Sequence, residues 1–312
     1  MSIIEQAARR LEELRRSGIA VPEAVGGPVP AAPVLVPPAA PALTPGPVTA
    51  APERNAANET ALPRATLPAR NSRRVVIDLE RLAAMGYLSP DAPRTQISDE
   101  FRVIKRPLLA KVDARPQGAG SRENLIMVTS ALPGEGKTFV SVNLAISLAL
   151  ELERTVLLVD ADVSRPSVLS RLNLPSSAGL LDILTDPSLG VSDVLLRTNI
   201  EKLAILPSGK ANARATELLT SEAMARLLHE LATRYPDRIV VFDAPPLLPS
   251  TESRALAGLM GQVVMVVEAD RTSQRSITSA LATVEGCANV QILLNKISRS
   301  DVIAYGGYYG PN

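Results

Sequence analysis

Residues 131–138, ALPGEGKT, have the types and spacing of a phosphate-binding loop. Gly134 and Gly136 allow backbone N–H groups to turn toward an anion, because glycine adopts backbone conformations that other residues avoid. Lys137 can reach the β- and γ-phosphates of a nucleotide, and the Thr138 hydroxyl can bind Mg²⁺. The first position of the usual G-x-x-x-x-G-K-[ST] pattern holds alanine instead of glycine. The loop lies between a strand-like run and a helix-like run, and this context predicts a nucleotide site.

Three aspartates lie in the last residues of two other mostly apolar runs. Asp160 and Asp162 end the run 155–162, on the same side of the chain because side chains alternate along a strand, and Asp243 lies in the run 239–246. Acids at strand ends beside a phosphate-binding loop predict Mg²⁺ binding and handling of a nucleophile, with Asp243 in the position of a Walker B aspartate. Each acid could instead cap a helix, and the sequence leaves that alternative open.

Three of the five tyrosines, Tyr305, Tyr308 and Tyr309, lie close together near the end of the sequence, in AYGGYYGPN. The glycines between them exclude a regular helix or strand. In a chain that also carries a nucleotide-binding loop, such phenol groups are candidate phosphate acceptors. The alternative is an aromatic segment that packs on a neighbouring molecule.

Strands that alternate with helices must position these residues. Six mostly apolar runs lack clean polar alternation, as expected for strands covered on both faces, and they are 125–130, 155–162, 203–209, 239–246, 262–270 and 289–296. Helix-like segments lie between several of them, at 139–151, 218–232 and 273–281. This alternation predicts an α/β P-loop NTPase fold, with a mostly parallel central sheet and helices on both faces. Ligands in such folds bind beyond the carboxyl ends of the strands, where the loop and the acids lie.

Composition excludes several other chemistries. Lys plus Arg number 33 and Asp plus Glu number 32 in 312 residues, so electrostatic binding of the whole chain to nucleic acid is not expected. The single cysteine, Cys287, excludes an intramolecular disulfide and a cysteine-rich metal site. The single histidine, His229, argues against a histidine-ligated metal or a histidine-based triad. Any catalysis must therefore use carboxylates, lysine, hydroxyls and backbone amides.

The first part of the sequence differs in composition from the rest. Residues 1–18 predict a short amphipathic helix, which could dock on a partner or a membrane surface, or fold back onto its own domain. Residues 19–73 are rich in alanine and proline and predict a disordered linker. Its prolines argue against a membrane span, and the first residues lack the apolar region of a signal peptide. We therefore expect a cytoplasmic protein with no transmembrane segment.

Residues 74–298 are predicted to form one P-loop domain, and residues 299–312 a flexible tail. A short helix is expected at 79–85, and a second over about 98–112. Pro107 should kink or interrupt the second helix, because proline removes a backbone hydrogen bond from it.

From about residue 75 onward, the sequence resembles the bacterial tyrosine autokinases (BY-kinases), in particular the exosortase-associated type found with exopolysaccharide gene clusters. The resemblance depends on ALPGEGKT as Walker A, LLVDADVSRP as the family's additional A′ motif and VVFDAPPLL as Walker B. The segments LPSG, ELL and LLNK and the tyrosine cluster also match. The A′ motif departs at Ser164, where the family usually has an arginine, whereas Arg165 is retained.

The resemblance implies an ATP- and Mg²⁺-dependent protein tyrosine kinase that phosphorylates its own tyrosine cluster in trans and regulates exopolysaccharide synthesis or export. It implies that Lys137 stabilises the γ-phosphoryl group and that Asp160 orients or deprotonates the acceptor hydroxyl. The metal ligands it implies are Thr138, Asp162 and Asp243. The nucleotide-binding residues it implies are Pro133, Gly134, Glu135, Gly136, Lys137, Thr138, Phe139 and Asn295. Asn295 is implied as an adenine contact, although it could equally cap its strand.

The segment ISDEFRVIKRPLL is similar to the family's oligomerisation helix, in which an acid and two basic residues are spaced three apart. Asp99, Arg102 and Lys105 occupy these positions, and lysine cannot reproduce the bidentate contact of the usual second arginine. The resemblance thus implies a homo-oligomer, which could be a ring. Lys105 is the interface residue expected to bind its partner least strongly. It also implies a separate transmembrane chain-length regulator as partner and activator, which would recruit the protein to the inner face of the cell membrane.

Two rival functions stay open. A partition or septum-site ATPase shares this fold, but it places a signature lysine where this chain has Leu132, and it has no need of clustered tyrosines. A non-catalytic nucleotide-binding regulator of a polysaccharide-export complex is the second alternative. The intact set of one lysine and three aspartates argues against it.

Overall fold

The computed structural model of the protein describes residues 73–91, 95–114, 121–235 and 237–297. The predicted helix at 1–18, the predicted linker apart from Arg73, and the predicted tail at 299–312 lie outside the described residues. Within the described ranges, no helix combines the length and the apolar character needed to cross a bilayer.

Eight strands and ten helices are formed by the described residues. The strands are β1 (Arg73–Arg74), β2 (Leu125–Ser130), β3 (Thr155–Asp160), β4 (Leu196–Arg197), β5 (Leu203–Leu206), β6 (Arg238–Asp243), β7 (Gln262–Glu268) and β8 (Val290–Asn295). The helices are α1 (Leu79–Ala84), α2 (Gln96–Asp113), α3 (Lys137–Ala149), α4 (Val168–Arg171), α5 (Leu180–Thr185), α6 (Val191–Val194), α7 (Ala215–Leu219), α8 (Glu222–Thr233), α9 (Thr251–Ala257) and α10 (Gln274–Ala282).

All eight strands belong to one sheet, in the order β1-β4-β5-β3-β6-β2-β7-β8. The six strands from β5 to β8 in this order pair in parallel, β4 pairs antiparallel with β5, and β1 pairs in parallel with β4. The predicted α/β fold with a mostly parallel sheet is confirmed. Each predicted strand run contains a strand; β2 spans its predicted run, and the other five strands end earlier than predicted. β3 ends at Asp160, so Asp162 lies in the following loop.

Two apolar cores lie on opposite faces of the sheet. Every residue of β2 is buried, and its side chains alternate between the cores, with Met127 in one and Ile126 in the other. The first core includes side chains of α8, and the second includes side chains of α3. Burial on both faces explains why the strand sequences lack polar alternation. All but two of the 13 residues of α3 are buried, so the loop that precedes it is fixed to a rigid element.

Helix α2 is longer than predicted and is not interrupted. It begins after Thr95, whose side chain and backbone form a capping box with Ser98, and it continues past Pro107 to Asp113. The interruption, one of the two outcomes predicted at Pro107, is therefore wrong, and the kink stays a prediction. The carbonyl of Val103 loses its usual partner at Pro107, but this side of the helix is exposed, and water can satisfy that carbonyl. Packing of the opposite face maintains the helix.

Candidate nucleotide-binding and phosphoryl-transfer site

The P-loop, residues 131–138, and the predicted aspartates meet at one edge of the sheet. The P-loop follows β2, Asp160 ends β3 and Asp243 ends β6, and these strands are neighbours in the order β3-β6-β2. Asp160 and Asp243 are paired in register. A cleft of about 740 Å³ opens beside them, between the P-loop, the loop after β3 and the loop after β6. Its size suits a nucleotide.

The P-loop has the backbone geometry of an anion site. Gly134 and Gly136 adopt left-handed conformations, with φ of +90° and +101°, which residues with a Cβ rarely adopt. Gly136 is the N-cap of α3 and has no side chain that could accept a hydrogen bond from the first turn of that helix. The first N–H groups of α3 are therefore available to an anion, which the helix dipole also favours. This cradle fits the phosphates of a nucleotide.

The ammonium group of Lys137 lies between two carboxylates. Its Nζ is 2.7 Å from Asp162 Oδ2 and 4.0 Å from Asp243 Oδ1. The other oxygen of Asp162 accepts a hydrogen bond from the Arg165 N–H at 3.1 Å. Lys137 and Asp162 both line the cleft. A cation at this position can neutralise the charge that develops on a transferred phosphoryl group.

Asp243 is fully buried, and hydroxyl groups fix both of its oxygens. The Thr138 hydroxyl donates to Oδ2 at 2.7 Å, and the Ser141 hydroxyl donates to Oδ1 at 3.0 Å. Burial raises the pKa of Asp243, while Lys137 and the two hydroxyls act in the opposite direction. Sequence reasoning missed Ser141. Its position four residues after Lys137, on the same helical face, is a signal that could have identified it.

Asp160 is buried and only half satisfied. Its Oδ2 accepts hydrogen bonds from the Ser167 and Val168 N–H groups, both at 3.0 Å, so it does cap α4. Its Oδ1 is buried and has no hydrogen-bond partner within the described residues. Burial, followed by the charge of Asp243, raises the pKa of Asp160 to about 7. Asp160 therefore combines the capping role with a carboxyl group that exchanges its proton near neutral pH.

The side chains at the cleft fit a Mg²⁺ ion that is partly held by water and phosphate. Thr138 Oγ1 is 2.7 Å from Asp243 Oδ2 and 3.0 Å from Ser167 Oγ, so hydroxyl and carboxylate oxygens are grouped here. In the described part of the chain, no cluster of three or more His, Cys, Asp or Glu residues could hold a metal. Mg²⁺ is usually bound by one or two carboxylates together with substrate phosphates and water. Thr138, Asp162 and Asp243 are sufficient for that mode.

An aromatic and basic wall of the cleft includes two residues, Tyr87 and Arg171, that sequence reasoning missed. The rings of Tyr87 and Phe139 are in contact, with centroids 4.9 Å apart, and both line the cleft. Burial raises the pKa of the Tyr87 hydroxyl, and the positive charge of Arg171 opposes that rise. Arg165 and Arg171 line the same cleft. Tyr87 precedes the P-loop by more than 40 residues, and no local pattern assigns it to the site.

Two predicted nucleotide-binding residues, Glu135 of the P-loop and Asn295 at the end of β8, form hydrogen bonds with the P-loop backbone. The carboxylate of Glu135 is buried and accepts a hydrogen bond from the Leu132 N–H at 2.6 Å. The Asn295 side chain donates to the Glu135 carbonyl oxygen at 2.8 Å. Pro133, by contrast, lines the cleft. The adenine contact of Asn295 stays a prediction.

The three predicted interface residues of α2 do not share one exposed face. Asp99 and Arg102 form an ion pair at 3.0 Å on the surface. Lys105 is buried, and its Nζ donates to the Ser147 carbonyl at 2.7 Å and pairs with Glu151 at 2.6 Å. Lys105 thus connects α2 to the end of α3 within one chain. The predicted acceptors Tyr305, Tyr308 and Tyr309 lie outside the described residues.

With this geometry in place, comparison with known proteins is informative. A protein family described as AAA domain matches residues 123–296, more than half of the chain. Tyrosine-protein kinase CpsD of Streptococcus agalactiae is 30% identical over 197 residues, which make up 62% of this chain and 83% of CpsD. Succinoglycan biosynthesis transport protein ExoP of Rhizobium meliloti is 32% identical over 226 residues, which make up 70% of this chain and 27% of ExoP.

A solved structure shares the fold. The crystal structure of the chimerical protein CapA2B2 is similar with a TM-score of 0.58 and 28% identity, and the similarity covers 67% of this chain and 88% of that chain. Residues 123–296, which the AAA domain family matches, contain seven of the eight strands, the P-loop and the three aspartates.

Proposed function

The chain belongs to the bacterial tyrosine kinases, and from this premise we propose that it transfers the γ-phosphoryl group of ATP to tyrosines of a second copy of itself. The acceptors are Tyr305, Tyr308 and Tyr309. The observation that carries the proposal is the position of Lys137 between two carboxylates at the N-terminus of α3. Phosphoryl transfer depends mainly on positioning and charge neutralisation, and this arrangement supplies both.

Each group at the site has a separate role in the proposed transfer. Backbone N–H groups of residues 134–138 hold the β- and γ-phosphates, and Lys137 neutralises the charge of the γ-phosphoryl group. Thr138, Asp162 and Asp243 hold Mg²⁺ directly or through water, and the bound ion supplies further positive charge to the phosphate oxygens. The hydroxyl of Ser141 fixes the Asp243 carboxylate in the required orientation.

Asp160 is the proposed proton acceptor. A tyrosine hydroxyl has an ordinary pKa near 10, so a base assists its reaction at neutral pH. The tyrosine oxygen forms a bond to the γ-phosphorus, the bond from that phosphorus to the β–γ bridging oxygen breaks, and the phenolic proton passes to Asp160. The buried Oδ1 of Asp160 has no partner among the described groups, and the pKa of about 7 suits this exchange.

The names of the relatives support a role in polysaccharide export. ExoP is a succinoglycan biosynthesis transport protein, and this chain matches 27% of its length. We infer that this chain acts with a separate transmembrane chain-length regulator, which activates it and brings it to the inner face of the cell membrane. Regulation of exopolysaccharide synthesis or export is the proposed output.

Phosphorylation would change the assembly. Three phosphotyrosines add about −4.5 to −6 charges near neutral pH. If each tyrosine segment enters the site of the next copy in an oligomer, these charges repel one another within a Debye length of about 8 Å. Phosphorylation therefore loosens the oligomer. Asp99 and Arg102 on the surface of α2 remain candidates for the interface, whereas Lys105 acts within one chain.

Labelled Mg·ATP tests the kinase activity directly. Wild-type protein should incorporate label, and Lys137→Met should not. The triple variant Tyr305→Phe, Tyr308→Phe, Tyr309→Phe should also lose the label, whereas the matched control Tyr235→Phe should keep it. Steady ATP hydrolysis without phosphotyrosine would instead indicate a partition-type ATPase.

Mixing two variants that do not become labelled on their own tests transfer in trans. The Lys137→Met protein keeps its acceptors, and the triple phenylalanine variant keeps its active site. Label on Lys137→Met in the mixture demonstrates transfer between copies. Sizing of the phosphorylated and dephosphorylated wild-type protein should give a smaller mass after phosphorylation, and equal masses would contradict the loosening.

A further inference from the structure

The side chain of Glu135 faces away from the nucleotide cleft. Gly134 and Gly136, on either side of it, line the cleft, and Glu135 does not. Glu135 is 2% exposed, and its carboxylate accepts hydrogen bonds from the Leu132 N–H at 2.6 Å and from the Thr272 hydroxyl. A buried carboxylate needs such donors, so the loop after β7 holds the P-loop through this residue.

The end of β8 holds two carbonyl groups of the same loop. Asn295 Nδ2 donates to the Glu135 carbonyl at 2.8 Å, and Lys296 Nζ donates to the Gly134 carbonyl at 2.8 Å. Lys296 is itself fixed by an ion pair with Glu268 at 3.0 Å. Glu268 and Asn295 are register partners at the ends of β7 and β8. We call Thr272, Asn295 and Lys296 the clamp.

The clamp acts on the direction of the backbone N–H groups. In a planar trans peptide, the C=O and the following N–H point in opposite directions. Holding the carbonyls of Gly134 and Glu135 on the clamp side therefore turns the N–H groups of Glu135 and Gly136 toward the opposite side, where the phosphates bind. Glycine with positive φ gives these peptides freedom to rotate, so they need an external restraint.

We propose that Thr272, Asn295 and Lys296 are positioning residues that fix the P-loop in its phosphate-binding conformation, with Glu135 as the connection to Thr272. The nucleotide-binding and kinetic effects rest on the proposed function, whereas the effect on the loop itself does not. Loss of one clamp bond should leave the fold unchanged and should allow the N–H groups of the loop to turn away from the phosphates.

The most direct test compares Thr272→Val with Thr272→Ser and uses Thr278→Val on α10 as the matched control. Thr278 is exposed, and its hydroxyl donates to the Gln274 carbonyl of its own helix. Thr272→Val should weaken Mg·ATP binding in calorimetry about tenfold, as loss of a hydrogen bond to a carboxylate implies. Thr272→Ser keeps the hydroxyl and should restore binding to within about twofold of wild type. Thr272→Val should also lower the melting temperature modestly, because a buried carboxylate loses a donor, whereas Thr272→Ser and Thr278→Val should melt close to wild type.

Lys296→Met, with the exposed Lys111→Met as control, tests the other side of the clamp. It should raise the KM for ATP and increase amide hydrogen exchange at Leu132 and at residues 134–136 even without nucleotide. Wild type that binds no ATP would refute the proposed function, and the exchange measurement would still test the clamp. Unchanged exchange and ATP affinity in Thr272→Val and Lys296→Met would overturn the clamp, as would equal losses in Thr272→Val and Thr272→Ser.

Discussion

Asp160 and Asp243 are register partners on the neighbouring strands β3 and β6, and both are buried. Two carboxylates placed side by side cannot both ionise freely, because each negative charge disfavours the other. Lys137 and two hydroxyls compensate Asp243 in this structure, and Asp160 receives two backbone N–H groups. Burial and the charge of Asp243 raise the pKa of Asp160 to about 7, and burial also raises the pKa of Asp243 against the opposing effect of Lys137 and the hydroxyls.

The rate of phosphoryl transfer should depend on the ionisation of Asp160. A base must be deprotonated to accept the tyrosine proton, so kcat should rise as the pH increases through about 7 and level off above it. The measurement is autophosphorylation at saturating Mg·ATP between pH 5.5 and 8.5. Asp160→Asn should remove this rise together with most of the activity. A wild-type profile flat across that range would contradict the assignment of Asp160 as the base.

Asp160 should also lower the stability of the fold at high pH. Its pKa is about 7 in the folded state and 3.8 ordinarily, so the folded state retains the proton over a range where the unfolded state has lost it. Stability from this group therefore falls as the pH rises from about 4 to about 7 and stays low above that. Asparagine removes the titration and can still accept from the N–H groups of α4.

Asp160→Asn should therefore stabilise the protein at pH 8, by about 2–4 kcal/mol from the pKa difference, and have little effect at pH 4. Thermal melts with EDTA and without nucleotide measure this effect. Asp91→Asn, at an exposed position, is the control and should change neither melt. A variant less stable than wild type at pH 8 would show that the carboxylate stabilises the fold.

Gly136 should tolerate alanine less well than Gly134. Both have positive φ, so a Cβ costs about 1–2 kcal/mol at either position. At Gly136 a Cβ would also lie 2.1 Å from Asn295 Nδ2, whereas at Gly134 it would meet nothing within 4 Å. Gly136→Ala should therefore lose both stability and Mg·ATP binding to a greater extent.

A double-mutant cycle separates the clash at Gly136 from the strain. Asn295→Ala removes the atom that a Cβ at Gly136 would meet, so the combined variant should lose less stability than the sum of the two single variants. Unfolding free energies from denaturant titration give the coupling. Strict additivity would mean that strain alone explains the loss.

Lys105 should contribute to the stability of one chain more than Arg102 does. Lys105→Met removes a buried hydrogen bond to the Ser147 carbonyl and an ion pair with Glu151, and should cost about 1–3 kcal/mol. Arg102→Met removes an exposed ion pair and should cost less than about 0.5 kcal/mol. Denaturant unfolding at low protein concentration compares them. Similar losses of unfolding free energy in the two variants would contradict the buried, hydrogen-bonded position of Lys105.

The local pattern of the sequence was sufficient to predict the six parallel strands and the P-loop. Apolar runs of strand length predicted all six parallel strands, because burial on both faces requires apolar residues throughout. Glycines, lysine and threonine in fixed order predicted the anion cradle, because its geometry comes from consecutive residues. The order also placed Asp160 and Asp243 at strand ends, where parallel strands collect ligands.

Tertiary structure decided which distant groups meet. The sheet order brings Asp243 beside Asp160 across 82 residues of chain, and no local pattern encodes that order. The same holds for Lys105, whose ammonium group contacts the Ser147 carbonyl. It also holds for Thr272 and Lys296, which contact the P-loop from the segments that follow β7 and β8. Sequence periodicity reports whether a side chain is buried, whereas its partner depends on how the elements pack. The residues proposed for the chemistry could therefore be predicted in order along the chain, and the groups that hold them in place could not.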